Sequence, residues 1–293
     1  MGFLEIISFV FFAGLAPAFI SSFIAIAMNE IYGITRVLNL AQGAFMTISA
    51  YLVYYFFASV NVHIALAILF STIITAFAEL LFVYALFLSG ILRQDDIKIE
   101  ESSIIITFGV MLFIQGMTSI IFGATPKAID IGKKWSILPG LDSIGISVVI
   151  ASLLIFTLVN TLLFSTKFTV GRWVRSTIQD KDLANIIGIN IEKIYLLVGF
   201  ISGVITGLAG GFYALLYGLN PYFGLYYTIV GFVAMAVAGI GNHLITFILS
   251  FVIVEIQSLL GLYVTVGVAA CLIYIFLIFL LVVKPKGLRS GLR

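Results

Sequence analysis

Charge is scarce in this sequence. Only 10% of its 293 residues are Asp, Glu, Lys or Arg, while 62% are hydrophobic. A water-soluble domain carries about a quarter charged residues. Too few polar side chains are present to cover a water-facing globule, so the solvent is lipid. Cysteine is nearly absent. The lone Cys271 has no internal disulfide partner, lies in an apolar run, and reads as a small core or lipid-facing side chain. Two histidines and one cysteine, with no ligand spacing between them, argue against a metal site. No G-x-x-x-x-G-K-[ST] loop and no G-x-S-x-G elbow occurs, which argues against nucleotide binding by a P-loop and against a serine hydrolase. The net charge of +2, without a basic tract interleaved with aromatics, argues against nucleic acid. No cleavable leader is expected. The first apolar stretch, Phe3–Met28, exceeds the usual signal core of about 7–15 residues and lacks a basic flank.

What is present is a series of long apolar runs. A spanning helix needs about 20 such residues. Nine segments qualify as candidates: Phe3–Met28, Leu40–Val60, Ile64–Leu92, Ser103–Phe122, Ile144–Phe164, Ile194–Tyr217, Leu225–Gly239, Leu244–Leu260 and Val264–Val283. The seventh and eighth are short and flank Gly239–His243, so they read either as two spans or as a re-entrant pair. The expected fold is all-α, a polytopic transmembrane bundle of about 8–9 hydrophobic segments, one domain over 1–293. Of the fifteen basic residues, twelve fall on one side if the 165–193 loop is cytoplasmic; only Lys127, Lys133 and Lys134 fall outside. The positive-inside rule then puts the N-terminus outside and the C-terminus in the cytoplasm. The outer segment Gly123–Gly145, with Pro126, Trp135 and Pro139, reads as an ordered cap or a plain connector.

Glu79 and Glu255 lie within spans, where an ionised acid costs about 2.5–3.5 kcal/mol on insertion scales. Each reads as a proton or substrate relay or as a packing hydrogen bond. Asn39, Gln42, Thr47 and Ser49, around Gly43 and Ala44, read as a bend lining a cavity or as an interfacial helix start. Gly199, Gly203 and Gly207 are four apart, a stripe on which another helix can pack closely.

The longest polar stretch, Phe168–Ile194, divides in two. Gly171, Arg172 and Arg175 belong to a first helix, with the arginines three apart on one face. Asp180 is a good N-cap for a second, short helix, and Gly188 is a good stop. Leu183, Ile186 and Ile187 share one face of it. So short a helix needs something to dock against: a partner, its own bundle or lipid headgroups.

GRWVRSTIQDKDLANIIGINIEKI resembles the cytoplasmic loop of the LivH-type branched-chain amino acid ABC transporter permeases, through Gly171, Arg172, Arg175, Asp180, Ala184, Gly188, Ile189 and Asn190. NLAQGAFMTISAY and LAGGFYALLYGLNPYFG are similar to two further family segments, through Asn39, Ala41 and Gly43 and through Asn220, Pro221 and Gly224. The chain departs in having Gln42 where the family commonly has His, Ser49 near a family Gly, and Ile245, Thr246 and Phe247 after the Gly239–Asn242 turn.

The resemblance implies a permease subunit of a plasma-membrane importer. It implies a second permease subunit (paralogue or second copy), two cytoplasmic ATPase subunits and an external substrate-binding protein. No cofactor is implied in this chain, since the ATPases bind the ATP. Asn39, Gln42, Gly43 and Glu79 would belong to the substrate pathway. Gly171, Arg172, Arg175, Asp180, Ala184 and Gly188 would contact the ATPase. Branched-chain or other small neutral amino acids are the implied cargo. Urea, amides or sugars are carried by related permeases, and from the residues alone the rivals are a stand-alone proton-coupled carrier using Glu79 and Glu255 and an intramembrane enzyme.

Overall fold

The structure, a computed structural model of the chain, describes residues 3–123, 125–130, 136–138, 141–164, 167–239 and 241–283. Trp135, Pro139, Lys133, Lys134 and the basic tail 284–293 lie outside the described residues. Helix dominates, because in lipid every backbone polar group must find its partner within the protein. The helices are α1 (Phe3–Thr35), α2 (Gln42–Tyr54, continued by a π turn over Tyr55–Ser59), α3 (Ile64–Leu88), α4 (Asp96–Phe122), α5 (Ser143–Phe164), α6 (Thr169–Gln179), α7 (Lys181–Ile186), α8 (Ile191–Leu216), α9 (Phe223–Ala238), α10 (His243–Leu260) and α11 (Val266–Val283). Among the described residues five helices, α1, α3, α4, α8 and α10, are long and apolar enough to cross a membrane. A two-stranded antiparallel ribbon, β1 (Ser136–Leu138) and β2 (Leu141–Asp142), forms just before α5.

α8 is the axis of the bundle, with α1, α2 and α3 packed around it. Its glycine stripe finds α3. A Cβ on Gly203 would lie 2.6 Å from the Ala76 Cα, and one on Gly207 would lie 2.8 Å from the Thr72 Cα. These are backbone contacts that no side chain could enter. α3 and α4 turn many large apolar residues outward, Ile105 and Ile120 being 75% and 81% exposed. Such surface belongs in lipid.

The chain is broken where α2 and α9 begin. α1 runs on through Asn29 and Glu30 to Thr35, past the end expected at Met28. Arg36 then turns with a φ of 60°, and residues 36–41 pass non-helically between the neighbouring helices. Their buried backbone is satisfied by side chains. Ser103 Oγ accepts from the Leu38 amide at 3.0 Å, and Thr107 Oγ1 donates to the Leu38 carbonyl at 2.9 Å. Non-helical backbone at membrane depth requires such partners. The second break, 217–222, is fixed by Leu219, which pairs with Lys127 through two backbone hydrogen bonds of 2.6 and 3.0 Å. α9 itself has 16 residues and is about 24 Å long.

Candidate functional site

Two places gather the chain's polar chemistry. The first is α7 with its flank α6, at the end of the bundle where Arg36 and Asp96 also lie. Asp180 accepts hydrogen bonds from the amides of Asp182 and Leu183, both at 2.9 Å. This satisfies two of the N–H groups that every helix start leaves open. Gly188 takes a φ of 87°, a left-handed conformation that favours glycine. The Ile189 amide donates to the Ala184 carbonyl and the Gly188 amide to the Asn185 carbonyl, both at 3.0 Å. Those two bonds are the Schellman closure. The expected start and stop are therefore both found.

Ala184 is 1% exposed and seats α7 on the bundle, while Leu183, Ile186 and Ile187 are 57%, 80% and 64% exposed. On α6, Gly171, Val174 and Thr177 are buried, while Arg172 is exposed and Arg175 half-buried. Lys181 Nζ reaches Asp96 Oδ1 at 3.0 Å and the Gln94 carbonyl at 3.2 Å, and Asp96 Oδ2 is 3.6 Å from Arg36 Nε. Half-exposed pairs of this kind are worth about 0–1 kcal/mol each, so they orient α7 more than they stabilise it. A cleft of about 550 Å³ opens beside α7, lined by Phe87, Leu92, Lys181, Asn185, Gly188 and Tyr195.

The second place is a buried cluster halfway along α8. The Asn39 side-chain amide donates to Gln42 Oε1 at 2.7 Å and to Glu79 Oε1 at 3.3 Å. Gln42 Nε2 donates to Ser202 Oγ at 2.9 Å and to Thr206 Oγ1. Ser202 Oγ donates to Glu79 Oε1 at 3.0 Å. The cluster thus ties the α1–α2 break to α2, α3 and α8 with five side-chain types and, among the described residues, no cation. Glu79 Oε2 has no hydrogen-bond partner among the described residues. Asn39, Gln42 and Glu79 are at most 1% exposed, so the cluster is sealed within this chain. Gly43, the next residue, packs against Gly224 so closely that a Cβ on either would collide with the other's carbonyl oxygen. Ser49, one of the departures from the family pattern, donates to the Gly207 carbonyl at 2.6 Å.

The structure therefore brings Asn39, Gln42 and Glu79 together, sets Gly43 beside them, and places the α6 and α7 residues at one end of the bundle. Reading the sequence missed Ser202 and Thr206. They sit four apart on α8, each preceding a glycine of the stripe, and that spacing was the available signal. It also missed Glu30, buried 3.1 Å from His243 Nδ1, and Asn29, which donates to Thr246 at 2.9 Å and accepts from the Gly241 amide at 3.1 Å. These contacts fasten the α9–α10 turn to α1. Glu255 lies elsewhere, its carboxylate occupying the space that a Gly14 side chain would need. Ala27, beside Ser202, and Gly14 are both on α1, about 20 Å apart along it. Glu79 and Glu255 are not neighbours.

The profile of the family described as branched-chain amino acid transport system / permease component matches residues 10–283. The chain belongs to this family. Its relatives include the high-affinity branched-chain amino acid transport system permease protein LivH of Salmonella typhimurium and that of Escherichia coli K12. Each is 23% identical over 276 residues, covering 90% of this chain and 89% of the relative. The permease protein BraD of Pseudomonas aeruginosa is 27% identical over 248 residues, 78% of each chain. No solved structure gives a significant match. A multi-pass, all-α permease is thus the setting for both polar places, and the permease carries them at opposite ends of one physical problem. α7 leaves Leu183, Ile186 and Ile187 exposed at one end of the bundle, and the Glu79 cluster ties α2, α3 and α8 together inside it.

Proposed function

We propose that the chain is the membrane-spanning subunit of an ATP-driven importer for branched-chain or other small neutral amino acids. The observation that carries the reading is α7. A six-residue helix, capped at both ends, leaves Leu183, Ile186 and the C-cap residue Ile187 exposed at the end of the bundle where Arg36, Asp96 and Lys181 also lie. A helix that short is unstable alone, and exposed apolar area ringed by charge is a partner surface. In this proposal the 165–193 loop is cytoplasmic, the N-terminus is outside, and α7 seats in a cleft on an ATPase subunit. Gly171, Arg172 and Arg175 hold the flank; Asp180, Ala184 and Gly188 shape the docking helix. Two such ATPases bind the ATP, so the chain itself needs no cofactor. A second permease subunit, a paralogue or a second copy, completes the pore, and an external binding protein delivers the cargo.

Asn39, Gln42, Gly43 and Glu79 border the substrate pathway in this reading. Because they are sealed within the subunit, they act by setting the position of α2 relative to α3 and α8. The test is uptake by membrane vesicles holding the chain with and without its ATPase and binding-protein partners. ATP-dependent uptake only with all partners is the expected result. Uptake by the chain alone, driven by a pH gradient, would replace the importer with a proton-coupled carrier. The cargo is read by offering the external receptor a labelled panel of amino acids, amides and sugars.

A further inference from the structure

One face of α4 follows the α1–α2 break along its length. Asp96, Glu100, Ser103 and Thr107 are spaced four, three and four apart, which sets them in one stripe on the helix. Each meets the chain at or beside the break. Asp96 Oδ2 lies 3.6 Å from Arg36 Nε, and Glu100 Oε1 accepts from the Tyr32 hydroxyl at 2.8 Å. Ser103 Oγ accepts from the Leu38 amide at 3.0 Å, and Thr107 Oγ1 donates to the Leu38 carbonyl at 2.9 Å. The stripe grows more enclosed along the helix. Asp96 is exposed, Glu100 is half-buried, and Ser103 and Thr107 are buried.

The break is held from outside itself. Arg36 has a φ of 60°, a conformation that a non-glycine residue keeps only where its surroundings impose it. Among the described residues, the hydrogen bonds that reach the backbone of 36–41 from another helix come from Ser103 and Thr107. Other amides close locally, Arg36 on the Tyr32 carbonyl, Val37 on Thr35 Oγ1 and Ala41 on Asn39 Oδ1. The position of α4 therefore sets that of Leu38. The next residue, Asn39, carries the bonds to Gln42 and Glu79.

The exposed end of the stripe reaches the docking helix. Asp96 offers its two oxygens to two elements, Oδ2 to Arg36 and Oδ1 to Lys181 Nζ at 3.0 Å, and Lys181 is the first residue of α7. A cleft of about 260 Å³ runs between these groups, lined by Arg36, Asp96, Asp180, Lys181 and Tyr195, so the joint has room to shift. α4 has room to follow. It packs on α2, turns Ile105, Phe113 and Ile120 outward, and has open space around Gly109 and Gly116. The close α3–α8 contact does not involve α4, so a tilt of α4 leaves it intact.

We propose that α4 is a transmission rod: Asp96 takes up displacement of α7, and Ser103 and Thr107 pass it to Leu38 and so to the Asn39–Glu79 cluster. All three act as positioning residues. The proposal deepens the docking reading of α7, and only the second of its two readouts rests on that reading.

The first readout is hydrogen exchange of the 36–41 amides, measured on the full chain in lipid nanodiscs. Lys181→Met makes them exchange about twofold faster, the size expected when one half-exposed pair is lost. In an Asp96→Asn chain, which is already faster, Lys181→Met adds nothing, because both act through one joint. Lys98→Met removes an exposed α4 charge that lies off the stripe and leaves 36–41 at the wild-type rate. Unchanged or slower exchange in Lys181→Met, additive effects, or an equal response to Lys98→Met would overturn the route. Should Asp96→Asn fail to insert, Asp96→Ser makes the same comparison. The second readout uses the ATPase-bound complex purified from native membranes. Trapping with ATP and vanadate changes exchange at 36–41 in the wild type and not in Asp96→Asn, while the ATPases co-purify with both. A preserved response in Asp96→Asn, or loss of its ATPases, would overturn the rod. A wild-type chain that recovers no ATPase subunit counts against the importer, and the nanodisc comparison then decides the route alone.

Discussion

Asp180 and Leu183 are joined by a 2.9 Å hydrogen bond from backbone amide to carboxylate, and that bond starts α7. The same carboxylate oxygen takes the Asp182 amide. The presentation of Leu183, Ile186 and Ile187 therefore depends on one side chain at the helix start and one glycine at its end.

Asp180→Ala removes the cap at a cost of about 1 kcal/mol. Hydrogen exchange across 181–187 becomes several-fold faster, by about the equivalent of that loss. The yield of co-purifying ATPase subunits falls, and Asp180→Asn keeps most of both. Unchanged exchange in Asp180→Ala would contradict the capping role.

Gly188→Asp forces a side chain into the left-handed region, at about 1–2 kcal/mol. It also adds negative charge at a helix C-terminus, where the macrodipole disfavours it. Membrane insertion stays at the wild-type level while the ATPase subunits are lost from the purified complex, as judged by gel and by ATP hydrolysis. Full retention of the ATPases would reject the docking role of this turn.

Glu79→Ala leaves Asn39 and Ser202 without their shared acceptor and opens a cavity. The combined cost is about 3 kcal/mol. Glu79→Gln keeps an acceptor oxygen and costs about 1 kcal/mol. Thermal unfolding of the purified chain in lipid nanodiscs ranks them in that order. Equal midpoints for the two variants would mean that the cluster does not brace α2, α3 and α8.

Gly203→Ala places a methyl against the Ala76 backbone and destabilises by about 1–3 kcal/mol. Gly116→Ala on α4, where a Cβ meets nothing within 4 Å, changes stability by less than about 0.5 kcal/mol. The same nanodisc unfolding measurement separates them, and a silent Gly203→Ala would deny the α3–α8 contact.

Local devices were legible in the sequence. Apolar runs gave the helices, and the Asp180 and Gly188 signals placed α7 at the right residues, because a cap and a stop act within a few positions of the chain. Features that depend on distant partners were not legible. Asn29 and Glu30 read as a loop, yet α1 continues through them because Thr246 and His243, far along the chain, receive those side chains. Tyr32 is held in the same way, donating to Glu100 at 2.8 Å. The glycine stripe announced close packing without naming α3. Asn39 and Gln42 were recognisable as polar residues at a helix start, but Ser202 and Thr206, which complete their hydrogen bonds, lie more than half the chain away. The meeting of Gly43 with Gly224 needed the fold, since a partner is invisible in spacing.

The central claim is that α7 docks a separate motor. A photo-crosslinker placed at Leu183, and separately at Ile187, in native membranes tests it most directly. The account predicts a covalent adduct with a nucleotide-hydrolysing subunit at both positions and none from Ile120 on the lipid face. Adducts with lipid or with this chain alone, and never with an ATPase, would contradict it.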